Sequence, residues 1–273
     1  MEETFQSFDG AEIAYSIMGD GPTVMLLHGL FSSADTNWVR YGTARRLVEA
    51  GYRLILPDFR GHGASACPDA ADAWPADVLA LDTEALIAHL NLGTDFTLGG
   101  YSLGARTAVR VLARGANPKA AIASGMGLQG ITGGAARGAW FIRMIEGAGS
   151  WQRGSHEYVA EAFMKANVKN PAAIIHLLRS QQSTASETLA SLTLPVCIPC
   201  GVDDEDNGSA PDLAHALGDG RYVEIPGTHM SAVTRPELAT AMVDFLKDSD
   251  RVNAGFLQTT SGHPPTLLLL PLR

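Results

Sequence analysis

Phe96-Thr-Leu-Gly-Gly100-Tyr-Ser102-Leu-Gly104-Ala-Arg106 opens on an apolar, strand-prone run and closes on a helical pattern, with a serine between two glycines at the join. A strand that turns so sharply into a helix holds the residue at the turn in a strained backbone conformation, and a side chain at either flanking glycine would collide. Ser102 would then project its hydroxyl from the end of the strand. The free N–H of Leu103 and the positive end of the helix dipole would lie beside charge developing on a bound oxygen.

Outward from this turn, short and mostly apolar runs alternate with longer helical patterns. Val24-Met-Leu-Leu27, Arg53-Leu-Ile-Leu56, Phe96-Thr-Leu98, Ala120-Ala-Ile-Ala123, Pro195-Val-Cys-Ile198 and Tyr222-Val-Glu-Ile225 are predicted strands. Such runs suit strands buried on both faces, so the expected fold class is α/β, a mostly parallel central sheet flanked by helices. Helices are predicted over 37–50, 75–91, 103–115, 210–217 and 236–247, with Pro75 and Pro236 suited to first-turn positions. Between Ala123 and Pro195 no strand pattern occurs, and the stretch is too long for an ordinary loop. Its glycine-rich entry, Gly125 to Gly138, reads as a flexible hinge leading into helical patterns near 139–146, 157–166 and 171–182. The expected organisation is a core of residues 1–124 and 192–248, a helical cap inserted at 125–191, and a tail over 249–273 expected to be flexible, turn-rich from Thr259 to Pro265.

A serine hydroxyl is a weak nucleophile near neutral pH and needs a base to take its proton, for which histidine is suited. His229, in Pro226-Gly-Thr-His-Met-Ser231, follows the last predicted strand and precedes the last helix, at the sheet edge that carries Ser102. His28 also begins a loop after a strand, whereas His89, His176 and His215 fall inside helical patterns. A carboxylate must hold the imidazole tautomer, and Gly201-Val-Asp-Asp-Glu-Asp206 after the penultimate strand offers Asp203, Asp204, Glu205 and Asp206. As a calcium loop this segment fails, because the twelfth position is Ala214 rather than a bidentate glutamate. His28-Gly-Leu-Phe31 supplies a second glycine turn, and the main-chain N–H groups of Leu30 and Leu103 are the expected oxyanion-hole pair.

His28-Gly29, Asp58-Phe-Arg-Gly-His-Gly-Ala-Ser65, Gly100-Tyr-Ser-Leu-Gly104, the acidic loop and His229 occur in one order, and with it the chain resembles the α/β-hydrolase superfamily over Phe5 to about Lys247. The resemblance is to its serine-nucleophile, capped, esterase-like members. It implies that the acid stands three residues after the strand-end glycine, at Asp204, with Asp203 and Asp206 open as neighbours. It further implies that the segment 58–65 shapes the site, making Asp58 and His62 structural. Family members that open epoxides or remove halides carry aspartate at the elbow, where this chain has Ser102. The implied activity is carboxylic ester hydrolysis through an acyl-enzyme on Ser102, His229 and Asp204, with no cofactor or metal and a small-molecule ester as partner. Lactone or carbon–carbon bond hydrolysis and cofactor-free perhydrolysis could run on the same three residues, and a non-catalytic ligand-binding protein is the alternative of another class.

The remaining signals are bulk properties and competing motifs. A formal charge of -9 leaves no basic field for nucleic acid, and no apolar run approaches membrane-spanning length. An acidic N-terminus without an export pattern and three cysteines fit a cytoplasmic protein with free thiols. Cys197-Ile-Pro-Cys200 lies in a predicted strand, where positions three apart face opposite ways, so a shared metal ion is not expected. Gly125-Met-Gly-Leu-Gln-Gly130 matches a dinucleotide fingerprint in form, but Ile131-Thr-Gly-Gly134 argues against the helix such a site requires. The apolar residues of the cap, Trp140, Phe141, Ile142, Met144, Trp151 and Phe163, suit either an apolar pocket or the cap's own core.

Overall fold

The computed structural model describes residues 2–260. Its eight strands are β1 (Glu2–Gln6), β2 (Glu12–Met18), β3 (Thr23–Leu27), β4 (Arg53–Pro57), β5 (Phe96–Tyr101), β6 (Ala120–Ser124), β7 (Pro195–Gly201) and β8 (Asp219–Ile225). They form one sheet in the order β1-β2-β4-β3-β5-β6-β7-β8. β1 pairs antiparallel with β2, and β2 with β4; all other pairings are parallel. The six strands read from apolar runs are present. β1 and β2 escape that criterion because they form an edge hairpin, and β1, largely exposed, buries only Phe5.

Alternate residues of the central strands enter opposite layers. Val24, Leu26, Leu54 and Leu56 pack with Leu47, Leu238 and Met242, on helices α1 (Thr43–Glu49) and α11 (Pro236–Thr260). Met25, Leu27 and Ile55 pack instead with Val78, Leu86 and Val111, on α2 (Val78–His89) and α3 (Leu103–Ala113). This two-faced burial is the physical source of the unbroken apolar runs.

Several helix boundaries differ from expectation for local reasons. The helix predicted over 37–50 is two pieces, a π-helical turn at Asp35–Val39 and α1, parted at Gly42 with φ +84°. α2 begins at Val78 rather than Pro75 because Asp77 takes a left-handed φ of +62°. α11 runs past Lys247 to Thr260, so 249–260 is helix rather than the expected tail; its single glycine and lack of proline leave nothing strong enough to stop it. The rest of that tail, 261–273, lies outside the described residues.

Between β6 and β7 stand α4 (Leu128–Thr132), α5 (Ala135–Glu146), α6 (His156–Asn167), α7 (Pro171–Ser180) and α8 (Ser186–Ala190), and α9 (Ala210–Ala216) joins β7 to β8. Met144, Ile145, Met164, Val168, Ile174 and Leu178 form a small separate core that closes on Phe31 of the loop after β3. The glycine-rich entry is not the free hinge that was expected. A short helix, α4, follows Gly127, and a side chain on Gly127 would strike the main chain of Gly208. Asn207 Nδ2 donates to Gly125 O at 3.0 Å, and Gly130 N–H to Asn207 O at 2.8 Å, so these glycines permit close packing against the loop after β7.

Strand order decides where a site can lie. From β3 the chain steps to β4 on one side, and from β5 it proceeds through β6, β7 and β8 on the other. The carboxyl ends of β3 and β5 flank this reversal, which is where open α/β sheets leave a crevice. Leu27 is in register with Gly100, so the His28-Gly29 loop and the Tyr101-Ser102 turn emerge side by side.

Candidate active site

Ser102 stands between β5 and α3 with φ +53° and ψ −113°, a conformation rarely adopted by residues other than glycine. The surroundings enforce it: Ser102 N–H donates to Ser124 O at 2.9 Å, and Ser102 O accepts from Arg106 N–H at 2.9 Å. A side chain on Gly100 would meet the main chain of Gly104, and one on Gly104 would meet the carbonyl of Leu27. Both glycines are therefore needed for α3 to cross the strand ends this closely.

His229 opens α10 (His229–Ala232), a four-residue turn capped by reciprocal bonds between Thr228 and Ser231. The imidazole is buried, and its Nε2 lies 2.9 Å from Ser102 Oγ. On the other side Nδ1 lies 2.8 Å from Asp204 Oδ2. A carboxylate only accepts, so Nδ1 carries the proton and the Nε2 lone pair faces the serine hydroxyl. Of the acidic loop, Asp204 is the carboxylate that meets His229, while Asp206 reaches outward to Arg137 at 2.8 Å.

Asp204 is held by more than the imidazole. Its Oδ1 accepts Asp206 N–H at 3.1 Å, and Oδ2 also accepts the Cys200 thiol at 3.6 Å. Burial alone would raise this carboxyl, but its bond to His229, the electrostatic attraction of that side chain and these two donors hold it below the usual carboxylate range. Burial and the nearby Asp204 push the Cys200 thiol up to about 12, so it stays protonated and donates to the carboxylate. Tyr101, which lines the same wall, donates its hydroxyl to His229 O at 2.6 Å.

Of the two expected oxyanion donors, Leu30 follows Gly29 on the loop after β3 and Leu103 follows Ser102. A side chain on Gly29 would rest 3.7 Å from Ser102 Cβ, which puts Gly29 beside the serine. Among the described residues neither Leu30 N–H nor Leu103 N–H has an acceptor, while Gly29 N–H donates to Asn37 Oδ1 at 2.9 Å and Phe31 N–H to His62 Nε2 at 3.1 Å. Asn37 was not singled out in the sequence; the π-helical turn that delivers it is the only trace, and such turns cluster at functional sites.

The cap touches both sides of this arrangement. Phe141 of α5 meets Phe31 edge-on, with ring centroids 5.5 Å apart, and Arg137 of the same helix bonds Asp206. Behind the serine, Arg106 of α3 donates to Gly130 O at the cap's entry and to Gln182 O at its exit, the latter at 3.0 Å. Of the cap's apolar residues, Met144 lies in the cap core and Phe141, Ile142, Trp151 and Phe163 pack against it.

Asp204, Asp206 and His229 bring one potential metal-ligand atom each within 4.8 Å of one another. Those atoms are already engaged, His229 with Asp204 and Asp206 with Arg137, so an ion would have to break both pairs. Cys197 and Cys200 are buried free thiols in different layers of the core. At the dinucleotide-like Gly125–Gly130 segment the glycines are filled by protein contacts and only the five-residue α4 follows.

The fold and these motifs are matched by known proteins. Residues 22–130 match the family model of the alpha/beta hydrolase fold. An esterase from Exiguobacterium antarcticum superimposes with a TM-score of 0.74 at 21% identity, over 90% of this chain and 100% of that one. A bromoperoxidase from Bacillus anthracis gives 0.67 at 22% identity, over 90% and 100%. With the eight-stranded sheet, these show that the chain has the α/β-hydrolase fold. In sequence it is similar to a non-heme haloperoxidase of Rhodococcus erythropolis, 39% identical over 106 residues, which are 39% of this chain and 36% of that protein. It is also similar to an epoxide hydrolase of Caballeronia sordidicola, 40% identical over 65 residues, 24% of this chain and 18% of the other. The matched region spans about a third of the length of the haloperoxidase relatives. No described helix is long and apolar enough to cross a membrane.

Proposed function

We propose that this protein is a serine hydrolase that cleaves carboxylic esters of small to medium size through an acyl-serine intermediate. The observation that carries the reading is the unbroken line from Ser102 Oγ through His229 to Asp204, with bonds of 2.9 and 2.8 Å. As Ser102 Oγ attacks the ester carbonyl, its proton passes to His229 Nε2, and Asp204 stabilises the imidazolium through Nδ1. The carbonyl oxygen becomes an oxyanion in reach of the Leu30 and Leu103 N–H groups, at the positive end of α3. Collapse expels the alcohol, which takes the proton from His229. Water then attacks the acyl-serine by the same route and releases the acid.

Hydrolysis of p-nitrophenyl acetate, butyrate and octanoate by wild type and Ser102→Ala tests this. Turnover by the wild type that falls on the order of a million-fold in a folded Ser102→Ala variant is the expected result. A variant as active as the wild type would remove Ser102 from the mechanism.

The likeness to non-heme haloperoxidases favours a second reading on the same residues. There hydrogen peroxide in place of water attacks the acyl-serine, giving a peracid and free serine. Bromide oxidation that requires both acetate and peroxide, and that is lost with Ser102, would support it over simple hydrolysis.

A further inference from the structure

His28 and His62 are buried outside the Ser102-His229-Asp204 line, 0% and 2% exposed, and their hydrogen bonds can be fully accounted for. His62 Nδ1 faces Arg60 O at 3.2 Å. A carbonyl only accepts, so Nδ1 carries the proton, and Nε2 is left as a lone pair that accepts Phe31 N–H at 3.1 Å. The same tautomer holds at His28, whose Nδ1 donates to Gly29 O at 2.7 Å and whose Nε2 accepts Phe59 N–H at 2.9 Å. Each of the two loops thus lends a neutral imidazole to the other's backbone, with the rings 5.2 Å apart. Burial, and for His62 the neighbouring His28, favours the uncharged forms; His62 is pushed down to about 3.

The residue that His62 holds is itself strained. Phe31 has φ +59°, a left-handed value for a bulky side chain that surrounding structure must enforce. Two things hold it: the burial of its ring under the cap, and its N–H bond to His62. The consequence falls on the preceding peptide. With Gly29 N–H bound to Asn37 and Phe31 N–H bound to His62, Leu30 N–H is the one left without an acceptor between them among the described residues. An aspartate at position 62 could also accept from Phe31, but a buried carboxylate would oppose the oxyanion, whereas an imidazole lone pair carries no charge.

We propose that His62 is a positioning residue for acyl transfer, its Nε2 lone pair holding Phe31 in the left-handed conformation and so keeping Leu30 N–H aimed at the oxyanion on the Ser102-bound carbon. This rests on the hydrolase reading above. His62 touches no reacting atom; it acts through the loop.

The test compares His62→Leu, which removes the acceptor, with His62→Gln, whose amide oxygen can take Phe31 N–H from a similar reach. Steady-state kinetics on p-nitrophenyl butyrate are read beside affinity for an alkyl trifluoromethyl ketone, which forms an oxyanion on Ser102. His62→Leu is expected to lower kcat on the order of a hundredfold with KM within about twofold, and to weaken ketone binding by the same factor. His62→Gln should restore most of both. Should His62→Leu fail to fold, nitrogen-15 NMR of the wild-type imidazoles decides, since the proposal requires the Nδ1–H tautomer at His62 at neutral pH. An Nε2–H tautomer, or a folded His62→Leu with unchanged kcat and ketone affinity beside an active wild type, would overturn it. A wild type that hydrolyses no ester and resists fluorophosphonate labelling at Ser102 would instead remove the hydrolase reading, and the proposal with it.

Discussion

Tyr101 occupies the variable position before the nucleophile, yet its hydroxyl is committed to His229 O at 2.6 Å, 128 residues further along the chain. Its ring also lies 5.4 Å from the imidazole. Burial, reinforced by Asp204, raises this phenol well above its ordinary value, so it remains a donor throughout the working pH range. Tyr101→Phe should therefore lower stability by about 1 kcal/mol in urea denaturation, through the bond lost and the carbonyl left unpaired. Because it frees the main chain of His229, kcat should fall several-fold while KM stays near its original value. A KM effect alone would mean that the hydroxyl shapes substrate binding rather than holding His229 in place. In the acidic loop, Asp204→Asn should cost on the order of ten-thousandfold in kcat, since an amide cannot hold the reactive tautomer, and Asp203→Asn should change little. The convergence of Ser102, His229 and Asp204 was legible because the chemistry proposed for them restricts residue type and strand-end position together. Tyr101, Asn37 and His62 bond to main-chain atoms, and the identity of a partner residue carries no record of that.

At the scale of elements, the parallel strands were legible where both faces are buried, and the edge hairpin of β1 and β2 was not, because an edge strand shares its faces with solvent. The split at Gly42 and the late start of α2 at Asp77 follow from left-handed backbone that hydrophobic periodicity does not register. The entry to the cap was read as loose on glycine content alone, whereas those glycines are required by backbone packed against Asn207 and Gly208. Packing glycines and hinge glycines look alike in sequence. The cap also reaches the acid loop through Arg137, which bonds both the carbonyl and the carboxylate of Asp206, at 2.9 and 2.8 Å. Asp206 in turn donates its N–H to Asp204. Arg137→Ala removes a partly exposed ion pair worth at most about 1 kcal/mol, so thermal stability should barely move. The loop that carries Asp204 is loosened all the same, and a two- to fivefold loss in kcat is the expected effect. Equal kcat in the two proteins would show that the loop holds its shape without the cap.

Over the whole molecule, buried neutral histidines couple folding to pH. His62 is pushed down to about 3 by burial and by His28, and His28 is lowered by its own burial, while both would titrate near 6.5 in the unfolded chain. Between about pH 6.5 and pH 3 the unfolded chain therefore binds protons that the folded protein excludes. Stability must fall as pH falls through this window, by about 1.4 kcal/mol per pH unit for His62, with His28 adding in the same direction. Above pH 6.5 both forms are neutral and the effect vanishes. From pH 7.5 to pH 5.0 His62 alone should cost about 2 kcal/mol, and His28 acts in the same direction. Asp82, whose carboxyl is raised by burial despite its bonds to Arg60, works in the opposite sense, so the informative quantity is a difference between proteins. Urea unfolding of wild type and His62→Gln at the two pH values supplies it. Glutamine does not titrate, so the variant should lose about 2 kcal/mol less than the wild type on acidification. Parallel losses in the two proteins would mean that His62 takes up a proton in the folded state, which is incompatible with a lone pair committed to Phe31 N–H.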